Sequence, residues 1–465
     1  MMAPMSSHTM LPYVHGAVLV LAASLGGCSI LVGQIDRWCT EDGVLVDSHD
    51  VPLDGSCGTQ DAGAGAEAGA PDAGIHDAGE DGGEEDSGVV DGGADTGVDA
   101  GPSMPPIDPY RRLATGWTHT CAVSDGNVYC WGNNSDGQLG TGTTDDSRIP
   151  IQVPGLPSSI TEVSATGYFT CALSGAGEVF CWGNNDLGQL GDGTRESRLS
   201  PVRSVSALSD VVRISAGGES ACALHVAGTV SCWGRGTGGA LGNGGLSDSL
   251  TPVNVINIEG VLGIEGSGGH YCVRTELGSV SCWGWSRYEQ LGVVYDGTAE
   301  LIPTAVSPLG LSGVVQASAG GRHTCIRNAT SIACWGWNMF GQLGNGGSGP
   351  DTHTPVVVGG LPDPPSDISA GGSHTCALLE SEDVYCWGGN AKGQLGAGDR
   401  MERGMPTRVS GFTSPVVQLS AGDFHTCALL STGDVACWGG NIDGQLGNGT
   451  IEDSLTPQVV DVAGT

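Results

Sequence analysis

The sequence predicts an all-β fold, a seven-bladed β-propeller with about four short antiparallel strands per blade. A Cys-Trp-Gly triplet recurs seven times at intervals of 50 to 52 residues, a period typical of propellers and other repeat folds. Every repeat also contains a hairpin signal. After residue 110 no long 3.6-residue apolar period occurs, and short apolar runs alternate instead with Gly, Asn, Asp and Pro. The triplets are Cys130-Trp131-Gly132, Cys181-Trp182-Gly183, Cys232-Trp233-Gly234, Cys282-Trp283-Gly284, Cys334-Trp335-Gly336, Cys386-Trp387-Gly388 and Cys437-Trp438-Gly439.

A second cysteine precedes each triplet by nine or ten residues and indicates a β-hairpin. In the first repeat Asp125-Gly126 lies midway between Cys121 and Cys130, and a two-residue hairpin turn favours such residues because both need positive φ. A spacing of ten fits a three-residue loop that ends in glycine, as at Gly433. Both loops set the two cysteines opposite each other. We therefore expect seven disulfides within the repeats, although some cysteines could instead remain buried thiols. The pairs are Cys121–Cys130, Cys171–Cys181, Cys222–Cys232, Cys272–Cys282, Cys325–Cys334, Cys376–Cys386 and Cys427–Cys437.

Two further segments of each repeat are predicted to complete the blade. A Gln-Leu-Gly segment and then a Pro-Val-like segment, such as residues 456–460, follow the triplet. If both segments are strands, each repeat contains about four strands. A single blade cannot bury both of its faces, so seven blades should stack radially and close into a ring.

The repeat as a whole resembles that of the regulator-of-chromosome-condensation family. It reads Ala-Gly-x-x-His-Thr, a short strand, Gly-x-Val-x-x-Trp-Gly and then Gly-Gln-Leu-Gly, most completely between Ala421 and Gly449. The resemblance covers roughly residues 110–465 and implies a seven-bladed propeller. The fourth repeat departs from the pattern at residues 288–292 (Tyr-Glu-Gln-Leu-Gly), which lack the glycine before Gln. We expect a blade with an altered loop there.

The family also carries functional implications. Its nuclear members exchange nucleotide on a small GTPase, an activity that we do not expect of a chain bearing an export signal. Exported relatives include inhibitors of β-lactamases, which favours a protein partner. Fold alone does not determine function, so this implication remains an analogy.

Residues 1–27 resemble the signal peptide of a bacterial lipoprotein. The apolar run 11–27 ends in Leu-Gly-Gly, a small-residue cleavage site directly ahead of Cys28. We expect Cys28 to be acylated, which would leave the protein exported and lipid-anchored to the bacterial envelope, at the outer membrane or cell surface. No lysine or arginine precedes the run. The alternative is cleavage by the ordinary signal peptidase, with Cys28 incidental.

The next two regions are predicted to form an anchor segment, residues 28–60, and a disordered acidic Asp/Ala/Gly linker, residues 61–109. Cys39 and Cys57 could close a small loop in the first. Residues 36–101 carry 18 acidic side chains against a single arginine, about half of the net charge of −34. With few aromatic or bulky apolar residues, the linker cannot offset its chain entropy and should extend as a stalk. No segment matches a calcium-binding loop.

The propeller region, residues 110–465, is also acidic, with 32 acidic and 16 basic residues. Such a surface repels phosphate backbones, so no nucleic-acid partner is expected. Contact with the membrane is expected only through the lipid. The even pairing of the remaining cysteines is typical of an oxidising compartment.

Five repeats place a histidine two residues before their first cysteine, which raises the question of a metal site or proton relay. The equivalent positions in the other repeats are Phe169 and Ser220, which argues against either. We expect these histidines to bond the backbone of their own blades. Two matches to the dinucleotide-binding pattern G-x-G-x-x-G, at residues 234–239 and 344–349, are not followed by a predicted helix. No catalytic or metal motif occurs, so no enzymatic activity, metal or cofactor is predicted. The histidines are His119, His270, His323, His374 and His425.

An aromatic surface patch is predicted in repeats four and five. Two residues after the triplet tryptophan, most repeats carry Asn, Gly or Arg, but these two carry Trp285 and Trp337. Tyr288, Met339 and Phe340 follow closely, and equivalent loops of adjacent blades lie side by side. The alternative is that both tryptophans simply pack between blades.

These observations predict a monomeric, surface-tethered module that is not catalytic and binds a protein partner through its propeller loops. Two other functions remain open. One is an enzyme with a site at the mouth of the central channel. The other is a passive structural component of the envelope or a spore coat.

The lipid anchor can be tested directly. When the full chain is expressed in a diderm host, Cys28 should incorporate a lipid label and the protein should fractionate with membranes. A Cys28→Ala variant should lose both, because it lacks the acceptor sulfur. Membrane association that persists unchanged in Cys28→Ala would contradict the prediction, as would a wild type without label.

Overall fold

The computed structural model of the chain describes residues 111–204, 208, 210–293, 301–308 and 311–462, together with three short strands nearer the N-terminus. The predicted signal peptide, Cys28, the Cys39–Cys57 pairing and the linker 61–109 lie outside the described residues. Within the described part of the chain, no helix is long and apolar enough to cross a membrane.

The three N-terminal strands form a small antiparallel sheet. They are Arg37–Cys39, Val44–Asp47 and Pro52–Ser56, paired in that order. The sequence predicts no strand in the anchor segment 28–60, because runs of three to five residues are too short to be assigned from an apolar pattern.

Seven four-stranded antiparallel sheets form the propeller, and each takes its strands consecutively from one stretch of chain. The predicted fold class is confirmed, and the atypical fourth repeat also forms a blade. The strands are Leu113–Thr115, His119–Ser124, Asn127–Gly132 and Ser147–Gln152 in blade 1; Ile160–Thr166, Phe169–Ser174, Val179–Gly183 and Arg198–Arg203 in blade 2; Val211–Gly217, Ser220–His225, Val230–Gly234 and Ser249–Asn254 in blade 3; Val261–Ser267, His270–Thr275, Val280–Trp285 and Leu301–Val306 in blade 4; Gln316–Ala319, His323–Arg327, Ile332–Gly336 and Thr352–Val357 in blade 5; Pro365–Ala370, His374–Leu379, Val384–Gly388 and Arg403–Val409 in blade 6; Val416–Ala421, His425–Leu430, Val435–Gly439 and Ser454–Val460 in blade 7. A 3-10 turn, Thr237–Gly239, follows the third strand of blade 3.

The strand predicted at the Gln-Leu-Gly segment is wrong. This segment forms a tight turn in which the Gly447 N–H donates to the Gly444 carbonyl at 2.9 Å, so its backbone does not pair in a sheet. The fourth strand of each blade is instead the innermost one, which precedes the histidine position, as Ile160–Thr166 does in blade 2. Its apolar residues are few and interrupted by polar ones, which hides the strand in the sequence.

The hairpin at the centre of each blade has the predicted register. Ser124 pairs with Asn127 across the turn, and Asp125 and Gly126 have φ of 48° and 76°. Cys121 therefore faces Cys130, and the same facing recurs in every blade. The seven predicted pairs are disulfide-bonded in the structure, with S–S distances of 2.06–2.11 Å.

The outermost strand of every blade contains a proline. Proline has no backbone N–H and so interrupts the row of donors along a free sheet edge. The seven outer edges are therefore poor templates for pairing with another chain. The prolines are Pro150, Pro201, Pro252, Pro303, Pro355, Pro406 and Pro457.

The hydrophobic core lies in the seams between adjacent blades. In the seam between blades 1 and 2, Leu139 of blade 1 packs in one cluster with Val163 and Trp182 of blade 2. The seam that closes the ring is built in the same way, from Leu446 of blade 7 and Trp131 of blade 1. Each blade thus buries its two faces against its two neighbours.

The disulfide pattern predicts a specific digest. Mass spectrometry of the non-reduced, oxidised protein should show seven links among the cysteines of residues 110–465, each within one blade, because each sulfur pair faces across a single hairpin. Replacing one pair, as in Cys121→Ala/Cys130→Ala, should lower the free energy of unfolding by at most about 2–3 kcal/mol, since the closed loop is short. A reduced and alkylated sample is the control. Links between blades, or free thiols after export, would falsify the scheme.

Candidate protein-binding site

Each blade is fixed to the preceding one by the indole N–H of its triplet tryptophan. Trp182 Nε1 donates to the Gln138 carbonyl oxygen of blade 1 at 2.8 Å, and Trp131 closes the ring by donating to Gln445 of blade 7 at 2.9 Å. The equivalent bond is 2.8–2.9 Å at all seven seams. The Gln-Leu-Gly turn of one blade is therefore the docking point for the next.

The glycine of this turn is required by geometry. Gly447 has φ of 72°, and a Cβ there would lie 2.6 Å from Nε1 of Trp131. A larger residue would strain the backbone and displace the indole. The motif's glycine therefore keeps the turn carbonyl within reach of the tryptophan.

The five histidines lie in the same seams and are fully buried. His119 Nε2 lies 2.8 Å from Oγ1 of Thr170 in blade 2, and that hydroxyl donates to the Gln138 carbonyl at 2.9 Å. Since the threonine proton is committed to the carbonyl, the histidine Nε2–H must be the donor to the threonine oxygen. The same arrangement occurs for His270, His323, His374 and His425. The structure therefore shows a structural role for the five histidines. The expected bond to the backbone of the same blade is wrong, because each histidine bonds a threonine of the next blade.

The two seams without a histidine are filled by complementary pairs. Phe169 packs in one cluster with Ala221 of blade 3, which stands where other blades have the threonine. Ser220 meets the phenol of Tyr271 in blade 4 at 3.0 Å. Each departure on one blade is thus matched by a change on the next, so both seams remain packed.

The buried histidines are not arranged as a metal site. Burial lowers the pKa of each ring from its ordinary 6.5 to about 3, so the rings are neutral. Among the described residues, no three His, Cys, Asp or Glu side chains lie close enough together to hold a metal ion.

Three of the five predicted binding residues meet at one end of blades 4 and 5, where the triplet strands finish. The ring centroid of Tyr288 lies 5.9 Å from that of Trp337, which lies 5.2 Å from that of Phe340. Met339 beside them is 62% exposed. We call Tyr288, Trp337, Met339 and Phe340 the aromatic patch.

The predicted surface position of Trp285 is wrong. Its side chain is 0% exposed, and it lies edge-on to Tyr288 with 5.4 Å between ring centroids. Trp285 therefore follows the alternative of packing inside the propeller, where it supports the patch from below.

Sequence reasoning missed Arg322, which belongs to the same cluster. Its guanidinium carbon lies 4.8 Å from the ring centroid of Trp337 and 5.4 Å from that of Tyr288, within the range of cation–π contacts. The hairpin register could have predicted that Arg322 lies beside Trp337, because the backbone N–H of Trp337 donates to the Arg322 carbonyl at 2.9 Å. A second aromatic pair, Trp117 and Tyr168, lies in blades 1 and 2 with centroids 5.1 Å apart.

The tryptophans of blades 4 and 5 leave a buried amide without a partner. In blade 1 the Gln138 Nε2 donates to Asn133 Oδ1 at 2.7 Å, and blade 2 has the equivalent bond. In blade 5, Trp337 stands in place of the asparagine, and Nε2 of Gln342 has no hydrogen-bond partner. A buried donor without an acceptor costs about 1–3 kcal/mol. Trp337 therefore lowers the stability of this loop, so stability does not explain why a tryptophan occupies the position.

The central channel carries a charged network. Arg111 reaches across it to Glu265 of blade 4 at 3.3 Å and Asp367 of blade 6 at 3.2 Å. Glu162 lies 3.5 Å from Arg213, and both side chains are buried. Burial raises the pKa of Glu162 to about 7, against the opposing effect of Arg213.

A ring of seven blades, each encoded by one repeat and joined to the preceding blade by a tryptophan hydrogen bond, is the architecture of a repeat propeller. The model of the RCC1-like domain matches residues 73–365. Models of the regulator of chromosome condensation (RCC1) repeat match residues 381–429, 366–394 and 416–445. The chain belongs to the RCC1-like family.

Relatives of known identity share this region. The ultraviolet-B receptor UVR8 of Arabidopsis thaliana is 34% identical over 75% of this chain and 81% of its own length. The E3 ubiquitin-protein ligase HERC2 of Homo sapiens is 29% identical over 75% of this chain, but the match covers only 7% of that protein. The crystal structure of Prp20p from Saccharomyces cerevisiae superimposes with a TM-score of 0.67 at 23% identity, over 74% of this chain and 88% of Prp20p.

The buried histidines predict a strong loss of stability in acid. Each histidine has a folded pKa of about 3 and an unfolded pKa of 6.5, so its contribution is complete above about pH 6.5 and falls as the pH decreases towards 3. Over that window each histidine should contribute a slope of about 1.4 kcal/mol per pH unit. Denaturant unfolding of the His119→Phe/Thr170→Ala variant, which copies the Phe169/Ala221 seam, should show a slope reduced by that amount.

The reverse exchange provides the control. Phe169→His/Ala221→Thr should increase the slope by the same amount, because it adds one buried neutral histidine. Slopes that do not change in either variant would show that the seam histidines take up no proton on unfolding.

Proposed function

We propose that this chain is a protein-binding module that is not catalytic, is exported to the bacterial envelope, and is held there by a lipid on Cys28. A protein partner binds at the aromatic patch. The single observation that carries this proposal is Trp337, a half-buried tryptophan that leaves Gln342 unpaired and joins Tyr288, Phe340 and Arg322 in one cluster.

The composition of the cluster supports a role in binding. Trp, Tyr and Arg are the residues most enriched among those that dominate binding energy at protein interfaces. The patch contains one of each within contact distance, and Met339 adds an exposed, adaptable apolar side chain. A site of this kind on an otherwise acidic, polar propeller fits a specific protein surface.

The relatives support partner binding as the type of function. The structure of Prp20p is described together with the binding of that protein to Gsp1p and histones. For this chain we infer a different partner, because an exported lipoprotein with a net charge of −34 meets proteins of the envelope. The export itself rests on the sequence pattern before Cys28.

Two other functions remain as candidates. An enzyme with its site at the channel mouth would use the carboxylates around Arg111. The ligase activity of HERC2 does not carry over, since the match spans only 7% of that protein. A passive envelope or spore-coat component would need neither the patch nor the channel.

The aromatic patch can be tested by capture. Tagged mature protein, exposed to a detergent extract of the source envelope, should retain a specific partner identifiable by mass spectrometry. Trp337→Ala should weaken the affinity for that purified partner by about 2 kcal/mol or more, roughly 30-fold, because truncation removes the centre of the cluster.

Blade 7 provides a matched control. Ile442 occupies the position equivalent to Met339 and is 54% exposed, but it lies outside the patch. Ile442→Ala should retain full affinity, whereas Met339→Ala should lose part of it. Equal binding by Trp337→Ala and wild type would exclude the patch. Enzymatic activity that survives Trp337→Ala would favour the channel site.

A further inference from the structure

A pocket of about 180 Å³ lies on the face of the propeller where the innermost strands begin. Arg111 and Arg112 directly precede the first strand of blade 1, and Val315 and Val417 lie at the starts of the innermost strands of blades 5 and 7. The aromatic patch lies at the opposite end of the blades, where the triplet strands finish. A ligand in this pocket and a protein on the patch can therefore bind at the same time.

Two arginines are held in the wall of this pocket by other side chains. Arg111 binds Glu265 at 3.3 Å and Asp367 at 3.2 Å. Arg327 donates from Nε to Oε1 of Gln316 at 2.7 Å. These contacts fix the positions of both guanidinium groups, so the wall carries its positive charge in a set place.

A third arginine, Arg112, is available to a ligand. Its backbone N–H donates to Oε1 of Gln418 at 3.0 Å, which fixes its main chain at the pocket. Its side chain is exposed, lines the pocket, and forms no ion pair with any residue that the structure describes. A guanidinium presents its N–H donors in a planar fork, and a carboxylate accepts two of them at once.

The charge of the pocket favours an anion with a single charge. Three arginines and one carboxylate, that of Asp367, line it. Glu265 also binds Arg111, so the two carboxylates leave one positive charge among these groups. A dianion would meet Asp367 in the same wall, and like charges repel more strongly in a partly enclosed site than in water. A monocarboxylate matches the remaining charge.

Apolar side chains form the rest of the wall. Val315 and Val417 are 37% and 49% exposed, and Leu429 beside them is buried. Ligand pockets typically combine such apolar surface with a few polar groups that orient the ligand. An apolar cavity of roughly 150 Å³ holds a benzene molecule, so this pocket admits a ligand of about six non-hydrogen atoms.

We propose that this pocket binds the carboxylate of a small aliphatic acid. Arg112 donates to the carboxylate, and Val315 and Val417 cover the aliphatic part. The carboxylate belongs either to a free short-chain acid or to the C-terminal residue of a peptide, which present the same charge and a similar size. The pocket shares no residue with the aromatic patch, so binding here is independent of the protein partner proposed above.

Calorimetric titration of the full mature protein tests this pocket with two probes. One is butanoate, with butanamide as its neutral control. The other is a short peptide that ends in valine, with the same peptide amidated at its C-terminus as the control. Saturable binding of butanoate alone assigns a free acid, binding of the peptide alone assigns a C-terminus, and binding of both supports the shared carboxylate. Binding by neither at millimolar concentration, equal binding of the neutral controls, or tighter binding of inorganic phosphate overturns the proposal.

Variants locate the carboxylate in the pocket. Arg112→Gln changes an exposed side chain, so it should fold, and it should weaken binding about tenfold because a charge-assisted hydrogen bond is lost. Arg112→Lys keeps the charge without the fork and should lose less. Val417→Ser should also weaken binding. Arg148→Gln, at an exposed arginine outside the pocket, and Trp337→Ala, in the aromatic patch, should bind as the wild type does. Undiminished binding by Arg112→Gln, or an equal loss in Arg148→Gln, overturns the assignment.

Discussion

The hydrogen bond from each triplet tryptophan to a carbonyl in the tight turn of the preceding blade is the constraint on which the propeller depends. That carbonyl belongs to glutamine at six seams and to Ala240 at the seventh. A carbonyl at the end of a tight turn is buried once the next blade packs over it, and it then needs a donor. The indole N–H supplies that donor at all seven seams. Because no blade borrows a strand from another repeat, the closing seam between blades 7 and 1 relies on the same contacts as the others. The ring is therefore closed by side chains, while the disulfides act only inside each blade.

The exceptions to the repeat fall into two physical kinds. At Phe169 and Ser220 the departure is answered across the seam by Ala221 and Tyr271, so packing and hydrogen bonding are preserved. Such pairs fill the seam as well as the usual histidine–threonine pair does. Trp337 is different, since nothing answers the lost asparagine and the Gln342 amide stays unpaired. A residue such as Trp337, which lowers stability and lies in a surface cluster, is expected where binding and not stability determines the choice of residue.

Charged side chains are arranged differently on the exterior and on the axis of the propeller. The propeller exterior is acidic, and several of its arginines are paired with carboxylates, such as Arg400 with Asp453 at 2.9 Å. On the axis the arrangement differs, because Arg111 joins blades that are not neighbours. The seams are held by uncharged hydrogen bonds such as those of the triplet tryptophans, although Nδ1 of each seam histidine has no hydrogen-bond partner among the described residues. The axis is where charged side chains from several blades meet.

The sequence by itself determined the features that depend on neighbours along the chain. The period of the triplets, the hairpin turn at Asp125-Gly126 and the facing of Cys121 with Cys130 all follow from local backbone preferences, and the structure has each of them. The sequence also indicated that blades 4 and 5 differ from the others, because each has a tryptophan two residues after the triplet tryptophan. The innermost strand Ile160–Thr166 could not be predicted, since its few apolar residues are separated by polar ones.

Only the tertiary structure decided which side chains meet across the seams and around the axis. His119 bonds a threonine 51 residues away, and His425 reaches Thr120 across 305 residues. Trp285 is buried and Trp337 is not, although both occupy the same position in their repeats. Local periodicity cannot rank such positions, because burial depends on how adjacent blades twist and stack. The ring closure that brings Arg111 to Glu265 and Asp367 is set by the packing of all seven blades together.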